Sequence, residues 1–418
     1  MLKHITGTFF TRVLVSVLNF CIIILTSRLL GAEARGSISL AMLAIAIAGL
    51  INEIIGGPAV VYLIPRYNNQ SIAKYAYFWA LASGIVCSTI LAYLNFYDLT
   101  LLPYVCAASM LLGLGSIHQF ILLGHQKISS FNTIALMQSL ILFTTFISFV
   151  LTNNCNIISY FIALITGYLI ALIYGLFKTN FIWKFSTAPS QKINLKILFN
   201  NGLLTQIASI THLLSSRVTF YFSTNFISLA FVGVLSTAVS ITEAAMIFSS
   251  SVALITASTV ANSNDKTKAI NTTIQLIKLS IIISLIILFI LAVFPESLMS
   301  NIFGKDFSGI KIIIFTLLPG VLAGSISQVI SHYYSGTGRF KVNATVGFIS
   351  LLVTIMAGLI YYFTSSILLP GSIISTSAIV AMIYFVRLFI IENNLKIADI
   401  IPNKNDARLL MQKLNNKD

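Results

Sequence analysis

Acidic residues are scarce in this chain: 11 Asp and Glu stand against 25 Lys and Arg in 418 residues, and charged residues of both signs make up only 9%. That excludes an ordinary soluble domain, in which about 25% of residues are charged. Paired cysteines are missing too. Cys21, Cys87 and Cys106 fall in apolar runs and Cys155 in a short turn, with no CxxC spacing, so neither a disulfide framework nor a cysteine zinc site is legible. No GxxxxGK[ST], HExxH or GxSxG occurs, and no loop carries an acidic cluster to hold a metal for sugar-nucleotide chemistry. Long aqueous segments are lacking as well. The chain therefore reads as a non-enzyme with no cofactor and no metal, whose activity lies within membrane helices or at their mouths.

What is present is apolar. Hydrophobic residues make up 57% of the chain and the mean hydropathy is +0.95. The apolar material comes in runs of about 20, long enough to cross ~30 Å of hydrocarbon as helices. Reading between polar breaks predicts an all-α polytopic membrane protein of about twelve helices, near 9–30, 37–63, 75–95, 101–123, 131–151 and 157–177. The second six fall near 198–224, 229–259, 272–294, 312–336, 342–363 and 369–391. The break 178–196 divides the chain nearly in half. The expected organisation is an N-terminal six-helix lobe (1–180), a cytoplasmic linker (181–197), a C-terminal six-helix lobe (198–391) and a polar cytoplasmic tail (392–418). Met1 to His4 precede no small-residue cleavage site, so the first helix is expected to be retained.

The net charge of +14 points to topology rather than nucleic acid. With the N-terminus in the cytoplasm, inside segments collect 17 bases, among them Arg66, Lys74, Lys127, Lys196, Arg339 and Lys396. Outside segments hold only Arg28, Arg35, Lys305 and Lys311. This bias predicts a multi-pass protein with both termini cytoplasmic. "GSIHQ" (115–119) and "GSISQ" (324–328) lie six helices apart, each before a basic glycine-containing turn. A duplicated even-numbered unit predicts two parallel lobes related by an axis along the membrane normal, with a central cavity between them.

The remaining bases, Arg12, Arg217, Lys278 and Arg387, fall within helices, as do Glu53 and Glu243. A charge at bilayer depth costs about 2.5–3.5 kcal/mol on insertion scales, so such groups pair, face water, or both. Glu53 is expected ~16 Å from the cytoplasmic end of its helix at ~1.5 Å per residue. Arg12 with Glu53, and Arg217 with Glu243, are the reasonable pairs; two readings stay open, lobe-fixing ion pairs or a hydrated basic cavity with two titratable carboxylates. Gly56, Gly57 and Pro58 break regular helix, and Pro319 with Gly320 does so further on, as static kinks or as hinges. His118, His212 and His332 are lone histidines, better suited to packed or hydrogen-bonded roles than to metal or proton relay.

Four stretches carry a family likeness: 11–41, "GGPAVVYLIPRY" (56–67), 213–245 and "YYSGTGRFKVNATVG" (333–347). They resemble the oligosaccharide-flippase branch of the multidrug/oligosaccharidyl-lipid/polysaccharide (MATE-like) exporter superfamily, the O-antigen (Wzx-type) flippases in particular. The resemblance implies a twelve-helix, two-lobe protein of the bacterial inner membrane. It would move a polyprenyl-pyrophosphate-linked glycan from the cytoplasmic to the periplasmic leaflet by alternating access. Arg217, Arg12 and Lys278 would bind the pyrophosphate, Glu53 and Glu243 would serve ion coupling with H+ or Na+, and Gly56, Gly57, Pro58, Pro319 and Gly320 would be hinges. Implied partners are membrane lipid and the polymerase and chain-length proteins of polysaccharide assembly. A multidrug antiporter on the same fold is the alternative, although four intramembrane bases against two acids disfavour cationic substrates. A membrane polymerase would be expected to carry a larger outside loop than 295–311.

Overall fold

The computed structural model describes residues 2–57, 59–64, 69–125, 127–185, 194–261, 265–364 and 369–402. Pro58, the middle of the expected linker (186–193) and the tail from 403 lie outside them. The described chain is helical: α1 (Leu2–Gly56), α2 (Ala59–Leu63), α3 (Asn69–Tyr93), α4 (Leu102–Gly124), α5 (Ile128–Leu151), α6 (Ile157–Phe185) and α7 (Leu195–Phe226). There follow α8 (Leu229–Ala245), α9 (Ile247–Ala261), α10 (Lys266–Val293), α11 (Glu296–Phe303), α12 (Ile310–Gly336), α13 (Phe340–Thr364), α14 (Leu369–Asn393) and the single turn α15 (Ile397–Ile400).

Nine described segments are long and apolar enough to cross a membrane, and α8 with α9, bent by 46°, makes a tenth. The first of the nine, Phe10–Gly56, has 47 residues, about 70 Å of helix and more than twice the hydrocarbon core. Gly31 (φ 82, ψ 177) breaks it into two arms, each long enough for one crossing. Counting the arms separately and adding the more polar α7, at 32 residues, gives the twelve expected passes. One local expectation changes. One glycine suffices for the break, so helix resumes at once and Arg35 sits inside it, 7% exposed, rather than in an outside turn. The 295–311 break folds into α11 and a 3-10 turn at Lys305–Phe307.

Local chemistry explains where helices stop and start. Asn95, Asn153 and Asn394 take positive φ just past α3, α5 and α14, as Gly338 does past α12. Each is followed by an amide that reaches back to a last-turn carbonyl, for example Phe96 N–H to Leu91 O at 3.0 Å and Arg339 N–H to Tyr334 O at 2.8 Å. Asn194 caps α7 by accepting from Lys196 N–H, and Asp265 caps α10 by accepting from Thr267 and Lys268 N–H.

The chain forms two compact units. Unit 1 comprises Met1–Leu213, Ser223–Ser236 and Ile302–Phe307, and unit 2 comprises Leu214–Phe222, Thr237–Asn301 and Ser308–Asp418. Unit 1 is centred on Ile54, Ile55, Leu63, Ile72, Ile117, Ile121 and Leu198. In unit 2, Tyr333 meets Phe389 edge-on at 5.0 Å and Tyr334 stacks on Phe385 at 6.3 Å, above Ile277, Val329 and Ile330. Other large apolar side chains stay outside, such as Phe289, Ile290 and Val293 on α10. In water so large an apolar face would be a liability; in a bilayer it is the solvated surface.

Candidate functional site

In unit 1 the second arm of α1 carries Asn52 and Glu53 side by side. Asn52 is 1% exposed and donates through Nδ2 to Gly113 O (3.2 Å) and Ser116 Oγ (3.1 Å) of α4. A β-carbon at Gly113 would lie 2.9 Å from the Asn52 side chain, so this glycine makes the contact possible. Glu53 accepts from Gln206 Nε2 of α7 at 3.1 Å. That bond depends on another glycine, one turn earlier. A β-carbon at Gly202 would stand 1.5 Å from Ile54 O, so only glycine lets α7 approach the α1 backbone closely enough for Gln206 to reach. Glu53 also lines a cavity of about 100 Å³ with Ser116, Gln119, Gln138 and Tyr168. Asn52 Oδ1 and Gln206 Oε1 are buried with no hydrogen-bond partner among the described residues. Acceptors therefore outnumber donors here, an arrangement that a proton or a small cation satisfies.

The expected Arg12–Glu53 pair does not form. Arg12 is exposed on the first arm of α1, and the place beside Glu53 is taken by Gln206 because Gly202 admits α7. α1 ends at Gly56, one turn after Glu53, and α2 (Ala59–Leu63) follows the bend.

In unit 2, α7 and α8 bring Arg217 and Glu243 together. Arg217 Nη2 lies 2.5 Å from Oε1 and 2.7 Å from Oε2, while the guanidinium covers the Phe220 ring at 5.2 Å from its centroid. The arginine side chain is 20% exposed and the glutamate 49%. Among the described residues the pairing with Glu243 uses Nη2, and a guanidinium carries further donors on Nη1 and Nε. Glu243 stands one turn before the bend at Met246, whose methyl group occupies the room left by Gly324 of α12. This bend contains neither proline nor glycine, and composition did not disclose it. Lys278 is half-buried on α10.

Gly56 ends α1 and is filled against by Ile117, and Gly57 forms the bend after it. Pro319 sits inside the unbroken α12. There Ser375 of α14 inserts its hydroxyl into the helical ladder, accepting from Gly320 N–H at 3.1 Å and donating to Thr316 O at 2.5 Å. His118 is buried. Its ring is hydrogen-bonded at both nitrogens, Nδ1 with Thr179 Oγ1 and Nε2 with Tyr77 OH, each at 2.9 Å. That is a satisfied core histidine bracing α3, α4 and α6. Gln206, Gly202 and Ser375 were not singled out in the sequence; Gln206 alone left a signal, an amide in an otherwise apolar run.

No family model matches the chain, and no curated protein matches it. Solved structures do. The chain is similar to the lipid II flippase MurJ in an inward closed conformation, with a TM-score of 0.70 at 15% identity over 96% of this chain and 89% of that one. It is similar to an inward-facing multidrug resistance MATE transporter of the MOP superfamily, at 0.66 and 14% over 91% and 94%. It is also similar to a MOP superfamily transporter from Pyrococcus furiosus described as having a binding pocket of reverse polarity, at 0.61 and 13% over 93% and 95%. At such identities the likeness is one of fold. The chain has the all-α, polytopic MATE/MurJ-like fold.

Proposed function

We propose that this protein is a flippase for a polyprenyl-pyrophosphate-linked oligosaccharide, an O-antigen or related surface-polysaccharide unit. It carries its substrate from the cytoplasmic to the periplasmic leaflet of a bacterial inner membrane, with both termini cytoplasmic and with 1–180 and 198–391 as its two lobes. The observation that carries the reading is Arg217: a guanidinium at bilayer depth, seated on Phe220, tethered through Nη2 to a half-exposed carboxylate and carrying further donors on Nη1 and Nε. A pyrophosphate offers several charged oxygens, and a planar fork binds such groups in bidentate fashion. On arrival it competes with Glu243 for the fork; on departure Glu243 returns and spares the cation a bare state. Arg12 and Lys278 add positive potential along the route. The polyprenyl chain stays in lipid while the sugar crosses through water.

Re-orientation is coupled to H+ or Na+ at Glu53, where Gln206 and Asn52 supply neutral oxygens in place of an arginine. Gly56–Gly57–Pro58 and Pro319–Gly320 absorb bending. Polymerase and chain-length proteins receive the product. The test is reconstitution with a fluorescent polyprenyl-pyrophosphate glycan in one leaflet. Its movement to the other under an ion gradient is expected, and uptake of cationic dyes without glycan movement would favour a multidrug antiporter instead.

A further inference from the structure

Unit 1 holds a second cavity, of about 560 Å³, that shares no lining residue with the one at Glu53. It is a groove between the first turns of α3 and the start of α7, with Ile55 of α1 behind it. Its volume is that of a small-molecule site, yet its walls, Tyr75, Phe78, Trp79, Leu195 and Phe199, are aromatic and aliphatic. Trp79 donates its indole N–H to Ile51 O of α1 at 2.8 Å and meets Phe199 edge-on at 6.3 Å. A tryptophan of an interfacial belt sits at headgroup level. This one turns its N–H into the protein, which fixes its ring as a wall. The facing wall is placed by Gly202, because Phe199, Gly202 and Gln206 share one side of α7, the side that leans on α1.

Positive charge gathers at one end of the groove. Lys196 lines it, and Lys74 stands one turn before Phe78 on the same side of α3. Both lysines are exposed, and neither meets a carboxylate among the described residues. The N-terminus of α7 adds the positive end of its dipole. Away from the lysines the groove continues into the bare flank of α3, where Phe78, Leu81 and Ile85 are 75%, 39% and 48% exposed. A matching ligand carries a negative group at one end and hydrocarbon behind it. We infer that the groove seats an anionic phospholipid of the surrounding membrane, with its phosphodiester at Lys74 and Lys196 and one acyl chain laid against Trp79 and Phe199.

The lining chemistry selects that occupant over a carried glycolipid. A phosphodiester bears one negative charge, which the compact ammonium of a lysine matches, whereas a pyrophosphate is better held by an arginine fork, and no arginine lines the groove. A sugar would need polar walls, and the side-chain oxygen of Asn194 already accepts from Lys196 N–H. The lysine stems can lie along the apolar rim while their ammonium groups reach the headgroup. A chain seated against Phe199 presses α7 onto α1, and so supports both the Gly202 approach and the Gln206–Glu53 bond. The lipid is then a bound part of unit 1, whatever molecule the protein carries.

The chain has two tryptophans, so Trp183→Phe leaves Trp79 as the sole reporter. In detergent, phosphatidylglycerol brominated on its acyl chains should quench Trp79 with a half-point at least threefold below that of brominated phosphatidylcholine. Lys74→Glu with Lys196→Glu should erase this preference, as should about 1 M salt, where the screening length falls to ~3 Å. Equal quenching by the two lipids, or a preference that survives the charge reversal, would overturn the inference. Unlabelled phosphatidylglycerol should restore the emission. Restoration by a polyprenyl phosphate at a lower concentration would give the groove to the carried lipid and defeat the phospholipid assignment. A second arm uses the parent chain and needs no reporter. Phosphatidylglycerol should raise its melting temperature by several degrees over phosphatidylcholine, and the double lysine variant should lose that difference. Equal melting of the parent in both lipids would count against a seated phospholipid.

Discussion

Glu53 and Glu243 are the same side chain in apolar helices, yet their surroundings differ in kind. Glu53 meets a neutral amide and a small polar cavity among buried acceptors, while Glu243 meets a guanidinium and is half open to its surroundings. A carboxylate facing an amide can take up a proton or cation and keep its hydrogen bond. One facing Arg217 gives up an ion pair to do the same. The difference teaches that charge count within the membrane does not assign roles; the partner does. Under the proposed function, Glu53 is the residue for the coupling ion and Glu243 the guard of a cation that an anionic substrate borrows.

The sharpest way to break this comparison is at Arg217. Arg217→Ala should lower glycan transport at least tenfold, since one charge-assisted hydrogen bond is worth about 1.5–3 kcal/mol, and Arg217→Lys should keep part of it. The measurement is surface polysaccharide in a flippase-deleted host, normalised to protein in the membrane. Full activity of the alanine variant would move substrate contact to Arg12 or Lys278.

Glu53→Gln should come next, with transport reduced severalfold, its dependence on the ion gradient lost and abundance near that of the parent, because Gln can still pair with Gln206. A collapse in abundance would make the Glu53–Gln206 bond structural and erase the contrast with Glu243. Gly202→Ala tests how that bond is built. The added carbon meets Ile54 O, and overpacking of this kind costs about 1–3 kcal/mol. Melting of the purified protein in detergent should fall by a few degrees, and an unchanged transition would show that α7 does not lean on α1 there.

Glu243→Gln should have a smaller effect on abundance, within about twofold, because a partly exposed ion pair contributes about 0–1 kcal/mol. Its transport should decline less than that of Arg217→Ala. The smallest change is expected for Ser375→Ala. Losing the hydroxyl between Gly320 N–H and Thr316 O costs roughly 1 kcal/mol, and transport should persist if Pro319–Gly320 can still bend. Higher transport in this variant would identify Ser375 as a brake on that bend.

The sequence by itself determined that this is a polytopic helical membrane protein of twelve passes, because runs of about twenty apolar residues have few other stable states. It also disclosed Arg217 and Glu243, since a charge in such a run stands out without any knowledge of neighbours. It misplaced the partner of Glu53, and it gave no sign of the bend at Met246 or the ladder-inserted Ser375. Those are decided by which backbones can approach: Gly202 against Ile54, Gly36 against Leu229 and Gly324 against Met246 are distances between helices far apart in the chain. Hydrophobicity is a property each residue carries alone and can be read one position at a time. Proximity belongs to pairs, and only the tertiary structure assigns it.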